Sequence, residues 1–313
     1  MHQTRVSFFL ASAALVLFTP SARAEAPTSS ADRPAAHPAA RAEIRTDRVL
    51  RGHTFLRPAL LSNPFTMSSA AMSLSYATAT FAAPGLDANI ETLGFSPAFG
   101  FQIELGRLAI EGRLLASLAA GTDGYSALTF GASTETGYAL GFKYLLVRTQ
   151  TYLISAGLTA SRRSGSSLLP SIAVESNITT RAQALASNLL TRESSTDWNL
   201  RMTGAFGFSP FLGGIVEVGR IFAPSREATE QGQYVFGAGL SANFQALNPK
   251  LPLGATLSLR SDLPTETTAK PSHTASFGLY EMFSEKFNLG VEYARLLQNT
   301  PSQEFVLSMT FFY

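Results

Sequence analysis

Gln303-Glu-Phe-Val-Leu-Ser-Met-Thr-Phe-Phe-Tyr313 is the stretch whose reading decides the fold. Phe305, Leu307, Met309, Phe311 and Tyr313 fall on every second position. A two-residue period puts all five on one face of a strand, with Glu304, Ser308 and Thr310 on the other. A strand that is apolar on one face has to lay that face against something other than water.

The rhythm continues outward from there. Phe95, Pro97, Phe99, Phe101, Ile103 and Leu105 share one parity, and Gln102 and Glu104 the other. At Gly106-Arg107 the parity flips, so that Leu108, Ile110, Leu114, Ala116 and Leu118 become the apolar set opposite Glu111 and Arg113. A flip of this kind marks a tight hairpin or a β-bulge. Tyr138, Leu140, Phe142, Tyr144 and Leu146 then oppose Lys143. Trp198, Leu200 and Met202 oppose Arg201; Val216 and Val218 oppose Glu217. Tyr234 to Phe244 alternates against Gly237, Gly239 and Ser241. Leu257 and Leu259 oppose Ser258 and Arg260, and Val291 and Tyr293 oppose Glu292.

With a first strand from Met67 to Phe81, these segments add to about twelve, with ten or fourteen as alternatives. The connections alternate between short and long. Gly106-Arg107, Val147–Gln150, Phe208–Leu212, Asn248–Lys250 and Phe283–Lys286 are short, and the segments between them are mostly longer. An even number of strands returns both chain ends to the short-turn side.

The chemistry of the two faces separates two all-β architectures. A soluble sandwich or lipocalin-like barrel turns its apolar face inward. Here one face is Phe, Tyr, Leu and Val, while the other mixes Gly, Ser, Thr and scattered charges. That distribution predicts an all-β, transmembrane, antiparallel up-and-down β-barrel with a polar lumen inside an apolar belt.

A terminal strand of this pattern, ending flush on Tyr313, resembles the closing strand and sorting signal of bacterial outer-membrane β-barrel proteins, the porin-like superfamily. The resemblance implies that Phe305, Leu307, Met309, Phe311 and Tyr313 form the assembly signal. It further implies outer-membrane lipid as a partner, with the barrel-assembly machinery and periplasmic chaperones during biogenesis. The N-terminal extension and the C-terminus would then be periplasmic, in a Gram-negative bacterium.

The other end of the chain fits export. Arg5, the apolar run Phe8–Phe18 and the small-x-small site Ala22-Arg23-Ala24 form a signal-peptide pattern over residues 1–24. The run is shorter than the roughly 20 residues a spanning helix requires. Residues 25–66 read as a flexible periplasmic extension with room for a small plug, and residues 67–313 as the barrel. Glu25–Arg48 is rich in Ala, Pro, Ser and Arg and cannot build a core. Val49–Phe65 carries Val49, Leu50, Phe55, Leu56, Leu60 and Leu61, and so has something to pack. It suits either a plug entering the barrel or a segment lying against the periplasmic rim, and the rim is the simpler expectation. Asn63-Pro64 resembles, in two residues, the turn of the N-terminal hatch of long-chain fatty-acid transporters.

Charge and cysteine usage remove several functions. The formal net charge of +2 includes Arg5 and Arg23, so 24 − 2 = 22 basic residues face 22 acidic ones after residue 24. Such balance gives no footprint for nucleic acid. With no cysteine, disulfides, thiolate metal sites and a lipidated N-terminal cysteine are all excluded.

Catalytic signatures are equally thin. His37 and His53 precede the barrel, and His273 has Ser272 and Thr274 as neighbours, without the one-face Ser partner that outer-membrane phospholipases use. No Asp-His pair, Gly-x-Ser-x-Gly elbow, Walker loop or paired-histidine zinc motif occurs. No catalytic residue, cofactor or metal is expected.

The lumen-facing candidates are Glu104, Glu111, Arg113, Lys143, Arg201, Glu217, Arg260 and Glu292, four of each sign. A barrel with such an interior is first a channel or passive transporter for a small-molecule substrate. The alternative is a structural or anchoring barrel with a packed, non-conducting lumen, and an outer-membrane enzyme ranks last. Residues 162–196 read as a long insertion. Within it Ile178, Ala182, Leu185 and Leu189 lie at the spacing of a short amphipathic helix.

Overall fold

A computed structural model describes residues 48–82, 89–123, 126, 131–168, 190–222, 232–265, 271–284, 286–297 and 302–313. Two short strands come first, β1 (Val49–Leu50) and β2 (His53–Thr54). Twelve longer ones follow: β3 (Ser69–Ala82), β4 (Asn89–Leu105), β5 (Leu108–Gly121), β6 (Ala132–Arg148), β7 (Tyr152–Leu168), β8 (Leu190–Gly207), β9 (Leu212–Phe222), β10 (Gln233–Asn243), β11 (Leu253–Pro264), β12 (Ser272–Ser284), β13 (Phe287–Leu296) and β14 (Ser302–Phe312). Each pairs antiparallel with its neighbours in sequence, and β14 also pairs with β3 from Phe312↔Ser69 to Ser302↔Ala79. The twelve strands therefore form a closed barrel with no free edge.

Closure forces alternate residues to opposite sides of one wall. The apolar parity is the outer one. Leu257, Leu140 and Val291 are 57%, 55% and 52% exposed, and they belong to a belt of exposed Leu, Phe, Tyr and Val that runs round the whole barrel. An exposed apolar surface of that extent is stable only in lipid. Aromatics gather near both rims of the belt. Tyr293 packs on Phe305 at 5.0 Å towards the long-loop end, and Phe287 on Phe311 at 4.8 Å towards the short-turn end.

The tightest connection is Gly106-Arg107, where Gly106 takes a φ of +72° that a side chain would resist. A register shift between Leu145 and Val147 makes a bulge: Leu145 keeps the inward parity of Lys143 and is buried, while Leu146 and Val147 are both exposed outside. Pro97 has no N–H, and the β4–β5 ladder skips Ser96 and Pro97 between Phe95↔Leu118 and Ala98↔Leu115.

The structure redraws the long insertion. β7 continues to Leu168 and β8 starts at Leu190, with Gly165↔Glu193 and Arg162↔Thr196 paired in a ladder. A ladder needs only backbone hydrogen bonds, so a hairpin that is polar on both faces carries no hydrophobic period to announce it. β6, β7 and β8 have 17, 17 and 18 residues, against 10 and 11 in β13 and β14. About 9–11 residues are enough to cross a bilayer, so this side of the wall stands above the membrane. The 178–189 helical stripe lies outside the described residues, as do the signal sequence and residues 25–47.

Candidate functional site: the barrel lumen

Residues 48–66 lie inside the barrel, not along its rim. Leu50, His53, Phe55, Leu56, Leu61, Phe65 and Thr66 are buried, and their partners come from strands all round the wall. Only the lumen offers such contacts at once. β1 and β2 make a hairpin whose two turn residues, Arg51 and Gly52, both sit at positive φ, as a two-residue turn of type I′ demands. Arg51 donates its N–H to the Gln150 carbonyl at 2.6 Å, which places the hairpin at the short-turn end.

Past Thr54 the segment is irregular, so its backbone groups need partners from elsewhere. The wall supplies them. Ser155 donates to the Pro64 carbonyl at 2.8 Å, and the Gln102 amide to the Phe65 and Met67 carbonyls at 2.8 and 2.7 Å. Glu217 accepts both the Ser62 N–H and its hydroxyl, each at 2.8 Å. Glu292 accepts the Ala59 N–H at 2.5 Å and bonds the Tyr280 hydroxyl, which also reaches the Arg57 carbonyl at 3.0 Å. Arg148 donates to the Val49 carbonyl, while Arg48 donates to Asn288 and stacks over the Phe312 ring at 4.2 Å.

His53 is enclosed completely. Its Nδ1–H can donate to the Pro210 carbonyl at 3.2 Å while Nε2 accepts from Ser241 at 3.1 Å, and Ser241 in turn accepts the Leu56 N–H. Every group in that chain is satisfied by a neutral imidazole. Burial pushes the His53 pKa down to about 4, with the Pro210 carbonyl pulling weakly the other way.

Apolar packing complements the polar anchors. Leu50, Phe55, Leu61 and Phe65 pack with the inward residues Leu145, Leu153, Ala205 and Ile215, and Leu56 packs with Tyr280 and Met282. The wall opposite is cut back to glycine where they press on it. A Cβ at Gly213 would stand 2.6 Å from the His53 and Phe55 rings, at Gly237 2.5 Å from Leu61, and at Gly254 2.6 Å from Leu56.

The inner wall also carries charge, and Lys143 there reaches the Phe65 carbonyl of the segment at 3.4 Å. Lys143 bridges Glu111 at 3.3 Å and donates to Gln102 at 2.9 Å. Arg201 pairs with the same Glu111, which also accepts from Thr159 at 2.9 Å. Arg260 pairs with Asp262 at 3.0 Å and Arg163 with Glu135 at 3.7 Å. Arg113 and Glu104 share the inward parity, and Arg113 is exposed in the bore. The structure thus brings Glu111, Lys143 and Arg201 together and commits Glu217 and Glu292 to the segment. Gln102, Ser155, Ser241 and Tyr280 hold the segment as firmly, and of these Gln102 and Ser241 had been placed on the polar face. Tyr280 was visible as an off-phase aromatic after Phe277 and Leu279.

Solved structures share this architecture. An outer membrane channel from Pseudomonas putida F1 superposes with a TM-score of 0.51 at 13% identity, covering 82% of this chain and 100% of that one. The chain has the fold of an outer-membrane-type β-barrel. The translocator domain of the autotransporter NalP from Neisseria meningitidis gives 0.49 at 12% identity, covering 79% of this chain and 89% of that one. The Pseudomonas putida toluene transporter TodX gives 0.46 at 10%, covering 84% and 95%. No protein-family model matches the sequence, and no curated protein sequence does either.

In this barrel His273 is exposed on the outer face, and its Nδ1 meets Ser261 at 2.9 Å across the β11–β12 pair. Among the described residues no group of three or more His, Asp or Glu side chains gathers as a metal site.

Proposed function

We propose that this protein is a channel or passive transporter for small solutes in the bacterial outer membrane. Its lumen is closed at the short-turn end by residues 48–66. The observation that carries this reading is Arg113, a charged side chain more than a third exposed inside a barrel whose outer face is apolar. Such a group at membrane depth has to be wetted, and a wetted bore is a path. The mixed charges around it give weak ion preference and suit polar solutes. The fold likeness to an outer membrane channel agrees with this reading, although a fold alone does not carry a function.

The same reading places the segment and both chain ends on the periplasmic side, after removal of residues 1–24. The barrel-assembly machinery would then recognise Phe305 to Tyr313. Planar-bilayer recording of the refolded full-length protein tests it. Brief or low conductance in the wild type, raised by displacing the segment, is the expected result.

The structural-barrel reading has its own support in the apolar packing of Leu50, Phe55, Leu61 and Phe65. It requires silence from both the wild type and a variant whose segment has been displaced.

A further inference from the structure

Arg220 on β9 points away from the lumen, in phase with Val216, Val218 and Phe222, and is exposed. Its guanidinium lies over two outward rings, 4.7 Å from the Phe222 centroid and 5.2 Å from that of Tyr234 on β10. Ring faces hold a cation without using up its N–H edge. Among the described residues Arg220 has no carboxylate within salt-bridge distance and no hydrogen-bond acceptor, and no acidic side chain faces outward on β8, β9 or β10.

Height decides what this charge meets. Arg220 is the ninth residue of β9 counted from the short-turn end, and about 9–11 residues take a strand across a bilayer. The guanidinium therefore stands at the level of lipid headgroups and not of their tails. Trp198, paired with Phe222 across β8 and β9, extends the aromatic rim there. Higher still, the outer face changes chemistry. Thr134, Thr136, Arg162, Ser164 and Thr196 on β6 to β8 are exposed in the same outward phase as Tyr138 and Trp198, and Thr134 meets Ser166 at 2.9 Å.

We propose that Arg220, seated on Phe222 and Tyr234, binds the phosphate of a membrane glycolipid whose sugar headgroup lies against the hydroxyl strip of β6 to β8. A phosphomonoester on a sugar offers several acceptor oxygens to the guanidinium fork. Sugar hydroxyls then find donors and acceptors in the Thr and Ser side chains above, which a headgroup without sugar would leave facing water. The site goes beyond the channel reading and does not depend on whether the lumen conducts.

Trp198 supplies the test, because it is the only tryptophan of the chain. It stands diagonal to Arg220 across the β8–β9 pair, at a Cα separation of roughly 7 Å. The full-length protein, refolded in dodecylmaltoside, is titrated with bisphosphorylated lipid A while Trp198 emission is recorded. Lipid A stripped of both phosphates, phosphatidylglycerol and inorganic phosphate are the comparison ligands. A saturable change with bisphosphorylated lipid A is expected, at an affinity about tenfold above that for the stripped lipid. Arg220→Gln should weaken it by about the same factor, and Arg295→Gln, outward-facing on β13, should leave it unchanged.

No response to bisphosphorylated lipid A, equal affinity for the stripped lipid, or wild-type affinity in Arg220→Gln overturns the site. Equal weakening by Arg295→Gln would reduce it to diffuse surface charge and overturns it too. Phosphatidylglycerol bound as tightly as lipid A overturns the glycolipid assignment, and an equal response to inorganic phosphate overturns the lipid assignment. If Arg220→Gln does not give a heat-modifiable barrel, Arg220→Lys takes its place. It keeps the charge and loses the fork, so affinity should fall severalfold, and unchanged affinity overturns the proposal.

Discussion

The two ends of the lumen are built from the same strands and the same alternation, yet they are solved differently. At the short-turn end, wall glycines such as Gly213, Gly237 and Gly254 leave space that Leu50, Phe55, Leu56 and Leu61 fill, and side chains of the wall bond the irregular backbone. Next to it and above, the wall pairs with itself through Glu111, Lys143 and Arg201, with Lys143 still reaching the Phe65 carbonyl at 3.4 Å, and nearer the long loops through Arg260 and Asp262. One part is a receptor for a segment of its own chain, and the other is a charged surface that pairs largely with itself. A closed barrel fixes its wall but not its contents. Inner residues are therefore free to specialise by height, while outer residues all answer to the same lipid.

The largest effect should come from refilling the glycine seats. Gly237→Leu together with Gly239→Leu would drive side chains into Leu61, at about 1–3 kcal/mol for each overpacked site. The segment should leave while the barrel stays closed. Limited proteolysis at residues 48–66 and a rise in single-channel conductance would show it. A protected segment in the double variant would mean that the receptor description is wrong.

Breaking the charged end should instead weaken the barrel. Glu111→Gln leaves Lys143 and Arg201 without their shared carboxylate and should cost about 3 kcal/mol in a urea unfolding experiment. The segment should remain protected until the barrel itself opens.

Adjacent residues on β11 sharpen the contrast between faces. Leu257→Arg puts a charge in lipid and should cost about 2–4 kcal/mol near the midplane. Ser258→Arg, on the inner side near the Leu61 seat, should spare barrel stability and loosen the segment. Equal unfolding free energies for the two would mean that the faces are misassigned.

Acid gives the smallest predicted effect. The His53 pKa lies at about 4 when the segment is docked and near 6.5 when it is free, so the undocked state binds the proton first. Docking is fully supported above pH 6.5 and loses strength as the pH falls from there to about 4, by about 2 kcal/mol at pH 5. His53→Gln should flatten the pH profile of protease protection over that window. A profile that keeps its slope in the variant would assign the titration to another group.

Much of the wall was legible because lipid reads one face of every strand. Phe305 to Tyr313, Tyr138 to Leu146 and Val291 to Tyr293 declare their phase by a two-residue period, and the twelve closed strands carry that phase outward. The ladder from Arg162↔Thr196 to Leu168↔Leu190 was not legible as strand, since its sequence is mostly polar at both parities and shows no two-residue apolar period. The seating of residues 48–66 was hidden for another reason. Gly213, Gly237 and Gly254 read as ordinary small residues until the partner that covers them is known, and Ser155 and Ser241 look like generic polar wall.

Periodicity, a property of neighbours along the chain, was enough to determine a closed membrane-type barrel with a polar interior, because strand pleating converts sequence parity directly into side. Which inner residues pair with one another, and which bind the segment, was decided only when β14 met β3. Closure sets the distances across the bore, from Glu111 on β5 to Arg201 on β8 and from Ser62 to Glu217. Those contacts join residues about 90 and 155 positions apart, and no local pattern encodes a distance across an enclosed space.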